Sequence, residues 1–441
     1  MSGVFQVGFG RTNITPAFGV PLAGYGNTHL RISETVLDEL MVSCVAIRDS
    51  EGNDLLLFSQ DLVDSLWEKE VRLCVSNATG IPTDHIILAA THTHCGPDQS
   101  SELDSIQRWK PEYLHQVVLA AQTAVADRAE ARIYIGKTET ENLSFVRHYL
   151  MSDGSYAGDN FGDFENNIIV DHARKVDPQL QVIRFDRSRA GKRSVLMVNW
   201  QCHPMFNARL IWKKVSADYI GSTRAYVEEN TEDLFVFFQG AAGDHSSRSK
   251  IDEEVRTKDC EEFGKLFGDY VLCATENMKQ LEVAPVQLKQ IRFEGKINHT
   301  MEDKLAQAQE VENLYRKTER DTGNVLAREY GFSSVYHTNA ILRRSQYAAT
   351  RTMELSVIRI GALAFVTAPC EVFGSYGQRL KAVSPYETTF ILTCCNGRHG
   401  YIPNVQSHEY GCYESHTGNF TKETGDEMVD TYITALHELN T

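Results

Sequence analysis

Two histidines set two residues apart, His92 and His94, stand where the apolar run gives out in the stretch "LAATHTHCGPDQS", which begins at Leu88. Imidazole is neutral near physiological pH and offers a lone pair to a metal or a proton to a substrate. If the strand-like run "HIILAA" continues through the pair, both side chains fall on one face, because side chains alternate along a strand. The pair then either grips one metal or one substrate, or forms a polar turn at the end of a core strand. His92, His203 in "WQCHP" and a carboxylate would supply the three protein ligands that a catalytic zinc commonly takes, leaving a position for water. A chain with fifteen histidines holds several such trios by chance, so these residues by themselves leave both readings open.

The elements that must hold these residues read as short apolar strands spilling into unusual loops. "SVLMVNWQCHP" runs out at His203, "LFVFFQGAAGDHSSR" in glycines and Asp244, and "TTFILTCCNGRHGYIP" near Tyr401. Loops at strand ends are where functional groups collect on helix-covered sheets. "PEYLHQVVLAAQTAVADRAEA" places Leu114, Val117, Val118, Ala121 and Val125 at helical spacing, with Pro111 suited to the first turn. "RTMELSVIRIGALAFVTAPCE" predicts a hairpin turning at Gly361, and residues 302–328 a long surface helix broken at "DTG". No internal repeat, low-complexity segment or clear linker is evident. The expected fold is α/β, with mixed β-sheets flanked by helices in a single catalytic body over residues 1–441 and a helical insertion at 295–350.

The 44 basic and 59 acidic residues give a formal charge of −15, which argues against nucleic acid or an anionic membrane as the main partner. The alternation of Val4, Phe5, Val7 and Phe9 predicts a first strand, not a signal peptide, and no apolar run reaches transmembrane length. Ten cysteines without a repeated spacing, two of them adjacent at Cys394 and Cys395, predict a reduced, cytoplasmic protein. Stable membrane insertion is not expected, and oligomeric state is left unassigned.

"VGFGRTNITP", "PLAGYGN", "AATHTHCGPDQS" and, from Ser216, "SADY" follow one another in an order that resembles the neutral, non-lysosomal ceramidase family. The resemblance is to the N-terminal catalytic domain and covers about residues 4–435. It implies a zinc ion held by two histidines, a glutamate and a tyrosine, which match His92, His203, Glu371 in "APCE" and Tyr401 in "GYIP". Relatives commonly carry Pro-Gly-Glu where this chain has Pro-Cys-Glu. The ordinary alternatives are a satisfied histidine beside a turn proline for His203 and a helix-start charge after Pro369 for Glu371.

The resemblance also implies that His94 lies beside the metal, that Arg147 in "FVRHY" reaches into the pocket, and that Tyr413 in "GCYES" pairs with Tyr401. These three are the expected substrate contacts and oxyanion stabilisers, against surface ion pairing for Arg147 and core packing for Tyr413. Ser246 matches a serine proposed to act in ceramidases, where many small relatives have asparagine. No G-x-S-x-G elbow surrounds it, so metal-activated water is the expected nucleophile. Asp244 is expected to position this loop, and Asp61 to do the same or to help hold a second cation.

The implied activity is zinc-dependent amide hydrolysis. Ceramidases of this kind usually add a C-terminal sandwich domain and a secretion signal, neither of which is evident in this sequence. A small, soluble N-acyl compound is therefore the expected substrate. The alternatives are ceramide itself, ester, lactone or phosphoester hydrolysis by the same metal, and a non-catalytic metal- or ligand-binding protein.

Overall fold

A computed structural model describes residues 4–25, 31–205, 212–251, 259–318 and 320–440. Residues 1–3 of the N-terminal stretch, and Gly26 and Asn27 of "PLAGYGN", lie outside the described residues. The apolar runs form three sheets. The first orders its strands Ile86–Ala90, Asp54–Gln60, Met41–Arg48, Gln6–Asn13 and Ala129–Glu130. The second orders Asp233–Gln239, Ser194–Trp200, Gln179–Asp186, Arg132–Glu139 and Lys279–Leu281, and the third Val286–Lys296, Thr350–Ile360, Leu363–Thr367 and Thr388–Leu392.

One path recurs in all three. Three strands pair antiparallel, a helix crosses over, and a fourth strand returns parallel to the third. The crossover helices are Glu68–Thr79, Tyr219–Asn230 and Gly374–Val383. Parallel neighbours need such a crossover because a tight turn cannot reverse direction twice. A further helix then lies across each first strand: Asp104–Ala126, Cys260–Thr275 and Thr424–Glu438. The expected absence of a repeat thus holds for residue types and fails for topology.

Glycine marks two of these equivalences. A Cβ on Gly8 would sit 1.9 Å from the Ala124 carbonyl oxygen, and one on Gly136 would sit 1.9 Å from that of Ala274. In both places a bare backbone lets the covering helix rest directly on the first strand.

Period-two alternation gives each sheet two apolar faces. Val45, Ile47, Leu55 and Leu57 join Ile183, Phe185, Val195 and Met197, and then Ile358, Phe365 and Phe390, in one core between the sheets. The opposite faces pack on the helices, as Cys44, Leu56 and Phe58 do on Val71, Val117 and Ala121. The loops after the third and fourth strands of each unit therefore emerge from the ends of the parallel pairs.

The hairpin turns at Gly361, whose φ is +60°. Two boundaries differ from expectation. Pro111 lies inside the helix Asp104–Ala126, which starts a full two turns earlier. Buried Ile106 and Trp109, the latter donating from Nε1 to the Ile14 carbonyl at 3.0 Å, anchor those turns, so packing outweighs the one backbone bond the proline removes. The predicted helix over 302–328 is two helices, Leu305–Tyr315 and Arg320–Glu329, followed by Val335–Arg344. "DTG" lies within the second, and the break falls earlier, where Lys317 and Thr318 bond back to the Leu314 carbonyl. These helices share a small core of Val311, Phe332, Val335 and Ile341. They occupy the chain between two strands that pair in full register from Val286 with Ile360 to Lys296 with Thr350. No helix among the described residues is long and apolar enough to cross a membrane.

Candidate metal centre

The strand that carries the first histidines stops at Ala90 and does not run through them. Thr91 and His92 donate their backbone N–H to the carbonyls of Gln60 and Leu62, and His92 takes a left-handed φ of 70°. This turn, not strand alternation, brings His92 Nε2 within 3.4 Å of His94 Nε2. His203 follows the third strand of the second unit, and its neighbour Pro204 accepts the His94 backbone N–H at 3.1 Å. The His92 and His203 ring centroids are 4.9 Å apart.

Glu371 comes from the third unit. It sits in a two-residue strand, Glu371–Val372, paired in parallel with Tyr401–Ile402, so Glu371 and Tyr401 are direct neighbours. The helix begins only at Gly374, which removes the helix-start explanation for Glu371. Its Oε2 lies 3.2 Å from His92 Nε2 and 3.2 Å from His203 Nε2. The glycine-rich loop supports it: Gly243 donates its N–H to the Val372 carbonyl at 2.8 Å, and a Cβ there would fall 2.6 Å from the Glu371 carbonyl oxygen.

The chemistry of this donor set fits a metal cation. His92 Nδ1 lies 2.7 Å from the Val63 carbonyl, which fixes its proton outward and turns the Nε2 lone pair inward. Burial, with Arg147 and the other imidazole adding to it, lowers His203 to about 4. Burial and the neighbouring His92 and His203 likewise hold His94 well below its ordinary value. Glu371 is held well below the carboxylate range; burial opposes this, but His92 and His203 outweigh it. His92 moves the other way, raised by Cys394 and Glu371 against the effect of burial. Two neutral imidazoles, His94 and His203, beside an ionised carboxylate, with His92 placed where positive charge is favoured, are the arrangement a bound cation satisfies.

A chamber of about 760 Å³ opens in front of these groups, and its wall includes His92, His94, Glu371, Tyr401 and Tyr413. The Tyr401 and Tyr413 rings lie 6.1 Å apart. Arg147 is engaged by the protein itself. Its Nε and Nη2 reach Glu414 Oε1 at 2.8 and 2.6 Å, and Nη2 also bonds the Gly243 carbonyl and lies 3.4 Å from the Tyr401 hydroxyl. Glu414, unnoticed in the sequence, is bonded by His148 Nε2 at 2.8 Å, and His148 Nδ1 lies 2.7 Å from the Tyr410 hydroxyl. Burial would raise Glu414, yet His148 and Arg147 bring it down to about 2.

Ser246 and Asp61 are placed away from the imidazole chamber, and Asp244 lies in the loop it was expected to position. Ser246 pairs in a short strand with Phe145 and lines a separate cavity of about 180 Å³ beside Arg147, not the imidazole chamber. Asp244 has both oxygens in use, Oδ1 accepting from the Gly374 N–H at 2.8 Å and Oδ2 from Arg174 at 2.7 Å, so it fastens the loop. Asp61 receives Arg224 Nη2 on both oxygens, at 2.8 and 2.7 Å, and the Met41 N–H. A guanidinium occupies the place a second cation would need. Asp64, three residues on, is the carboxylate that does face the chamber; burial pushes it up to about 6 despite Arg398 at 3.2 Å. Its signal was its place in the loop after a third strand, equivalent to His203 and Glu371, which only the topology reveals.

No protein-family model and no curated protein matches the chain. Solved structures do. The neutral ceramidase from Pseudomonas aeruginosa is similar with a TM-score of 0.70 at 17% identity, over 98% of this chain and 74% of that one. A ceramidase complexed with C2 is similar with a TM-score of 0.71 at 15% identity, over 99% of this chain and 75% of that one. The chain therefore has the fold of the neutral ceramidases, with mixed sheets flanked by helices.

Proposed function

We propose that the protein is a zinc-dependent hydrolase that cleaves the amide bond of a small, soluble N-acyl compound. The observation that carries this reading is the convergence of His92 Nε2, His203 Nε2 and Glu371 Oε2, the carboxylate 3.2 Å from each imidazole, with His92 and Glu371 lining the chamber. Zinc bound there would make water nucleophilic at neutral pH and polarise the acyl carbonyl. Tyr401, beside Glu371, is the proposed fourth ligand.

The chain's own groups supply the rest. Tyr413 and His94 reach the same chamber and are the donors for the oxyanion that develops on the acyl oxygen. His94, next to the metal ligands, also takes the proton that the attacking water gives up and hands it to the departing amine. Arg147, committed to Glu414, positions the Tyr401 hydroxyl. The names of the similar structures favour an amide over an ester, lactone or phosphoester, although the same site suits each. Ten cysteines, most of them buried, suit a reducing cytoplasmic setting.

The test is elemental analysis combined with hydrolysis of N-acyl amines, N-acyl amino acids, ceramides, esters and phosphoesters, before and after zinc is stripped and restored. About one zinc per chain with amidase activity that follows the metal is the expected result. Absence of metal uptake by the wild-type protein overturns the reading. Ester or phosphoester turnover without amide turnover transfers it to those substrates.

A further inference from the structure

The wall of the chamber holds an arginine without an acid. Arg343 lies on the helix Val335–Arg344, and Tyr336, Asn339 and Arg343, spaced to share one helical face, all line the chamber. Its Nε donates to Asn419 Oδ1 at 3.1 Å and its Nη2 to the Thr417 carbonyl at 2.8 Å, both neutral acceptors. The other two arginines of this wall are paired: Arg316 with Glu312 at 2.7 Å and Arg398 with Asp64 at 3.2 Å. Among the described residues, no carboxylate makes an ion pair with Arg343. Burial in the chamber wall, together with the like charges of Arg398 and Arg351, disfavours its cation, while Tyr347 and Tyr413 favour it. An anion arriving in the chamber relieves that crowding.

The rest of the wall points the same way. Among the described residues, Ala23 and Val63 are its only aliphatic hydrocarbon side chains; the others are charged, hydroxyl-bearing, amide or imidazole groups, or glycine. A long acyl chain needs apolar walls to leave water. Among the described residues, this wall offers besides those two only the rings of five tyrosines, each ending in a hydroxyl. Guanidinium, by contrast, matches a carboxylate in charge and in planar geometry.

We propose that Arg343 binds a carboxylate of the substrate, with the Asn339 amide one turn earlier beside it. The chamber thereby selects N-acyl amino acids over uncharged N-acyl amines and sphingoid amides. The choice of the amide rests on the hydrolase reading above; the anion site rests on Arg343 alone.

The experiment compares N-acetyl and N-hexanoyl amino acids with their C-terminal carboxamides, using zinc-loaded wild type, Arg343→Gln and Arg343→Lys. The acids are expected to show about tenfold or greater preference in kcat/KM, the size of a charge-assisted contact. That preference should disappear in Arg343→Gln through KM, with kcat held, and return in part in Arg343→Lys. Equal turnover of acids and carboxamides by wild type, or an unchanged preference in Arg343→Gln, overturns the proposal while leaving the metal hydrolase intact. If neither series is hydrolysed, the amidase reading fails. Calorimetry of N-acetyl amino acid binding to wild type and Arg343→Gln then decides the anion site: binding lost in the variant supports it, and equal or absent binding overturns it. Thermal unfolding of both variants checks that the helix is intact.

Discussion

Asp61 and Asp64 stand three residues apart in one loop and differ in what they meet, an arginine on both oxygens in one case and the chamber in the other. Replacing Asp61 by Asn leaves Arg224 uncompensated inside the protein, and denaturant unfolding should show a loss of about 3–5 kcal/mol. Zinc content per folded chain should stay unchanged, which is the opposite of what a second-cation role requires. For the proposed ligands the expectation reverses. His92→Asn, which tolerates the left-handed backbone at that position, and His203→Ala should remove most bound zinc by elemental analysis while circular dichroism remains that of the native fold. The proposed ligands were named through the resemblance to the ceramidases, because the residues by themselves left a turn histidine and a helix-start charge as alternatives. The placement of Asp61 and Ser246 was not legible. Which carboxylate meets an arginine and which faces a cavity depends on chain segments far away, as Arg224 is from Asp61. Glu414 escaped for the same reason: its partners Arg147 and His148 lie in another unit.

Among elements, strands were easier to foresee than boundaries. Alternating or continuous apolar runs named Ser194–Trp200, Asp233–Gln239 and Thr388–Leu392, whereas Pro111 misplaced a helix start that Trp109 packing decides. Two predictions belong here. Gly8→Ala and Gly136→Ala each force a methyl against a helix carbonyl, and each should cost about 1–3 kcal/mol in chemical denaturation, more if the helix cannot shift. The helix Val335–Arg344 meets Tyr413–Thr417 through stacked imidazoles, His337 on His416, with centroids 4.4 Å apart. Burial, His416 and Arg344 lower His337 from 6.5 to about 3, and Ser333 lies within 3.4 Å of its Nδ1. The unfolded chain takes up this proton below pH 6.5 and the folded chain does not, so stability should fall as pH drops from 6.5 toward 3. The slope is about 1.4 kcal/mol per pH unit for one such group. His337→Phe keeps the ring stack and should flatten this acid limb in unfolding measured across that window.

At the scale of the molecule, three units of one topology contribute to one centre: His92 from the first, His203 from the second, Glu371 and Tyr401 from the third. A metal joining them binds the folded state alone. Saturation a hundredfold above the dissociation constant should add about 2.7 kcal/mol, seen as a fall in Tm on chelation that His203→Ala does not show. The mixed sheets flanked by helices were foreseen from strand and helix alternation; the threefold path was not, since pairing order is shared while residue types are not. That path also carries a temporal consequence. Synthesis delivers His92 and His203 before the third unit exists, and contacts between distant segments are the slow ones to form. Two imidazoles wait for their carboxylate, so zinc uptake during refolding should lag behind the recovery of helix and sheet and time the docking of the last unit.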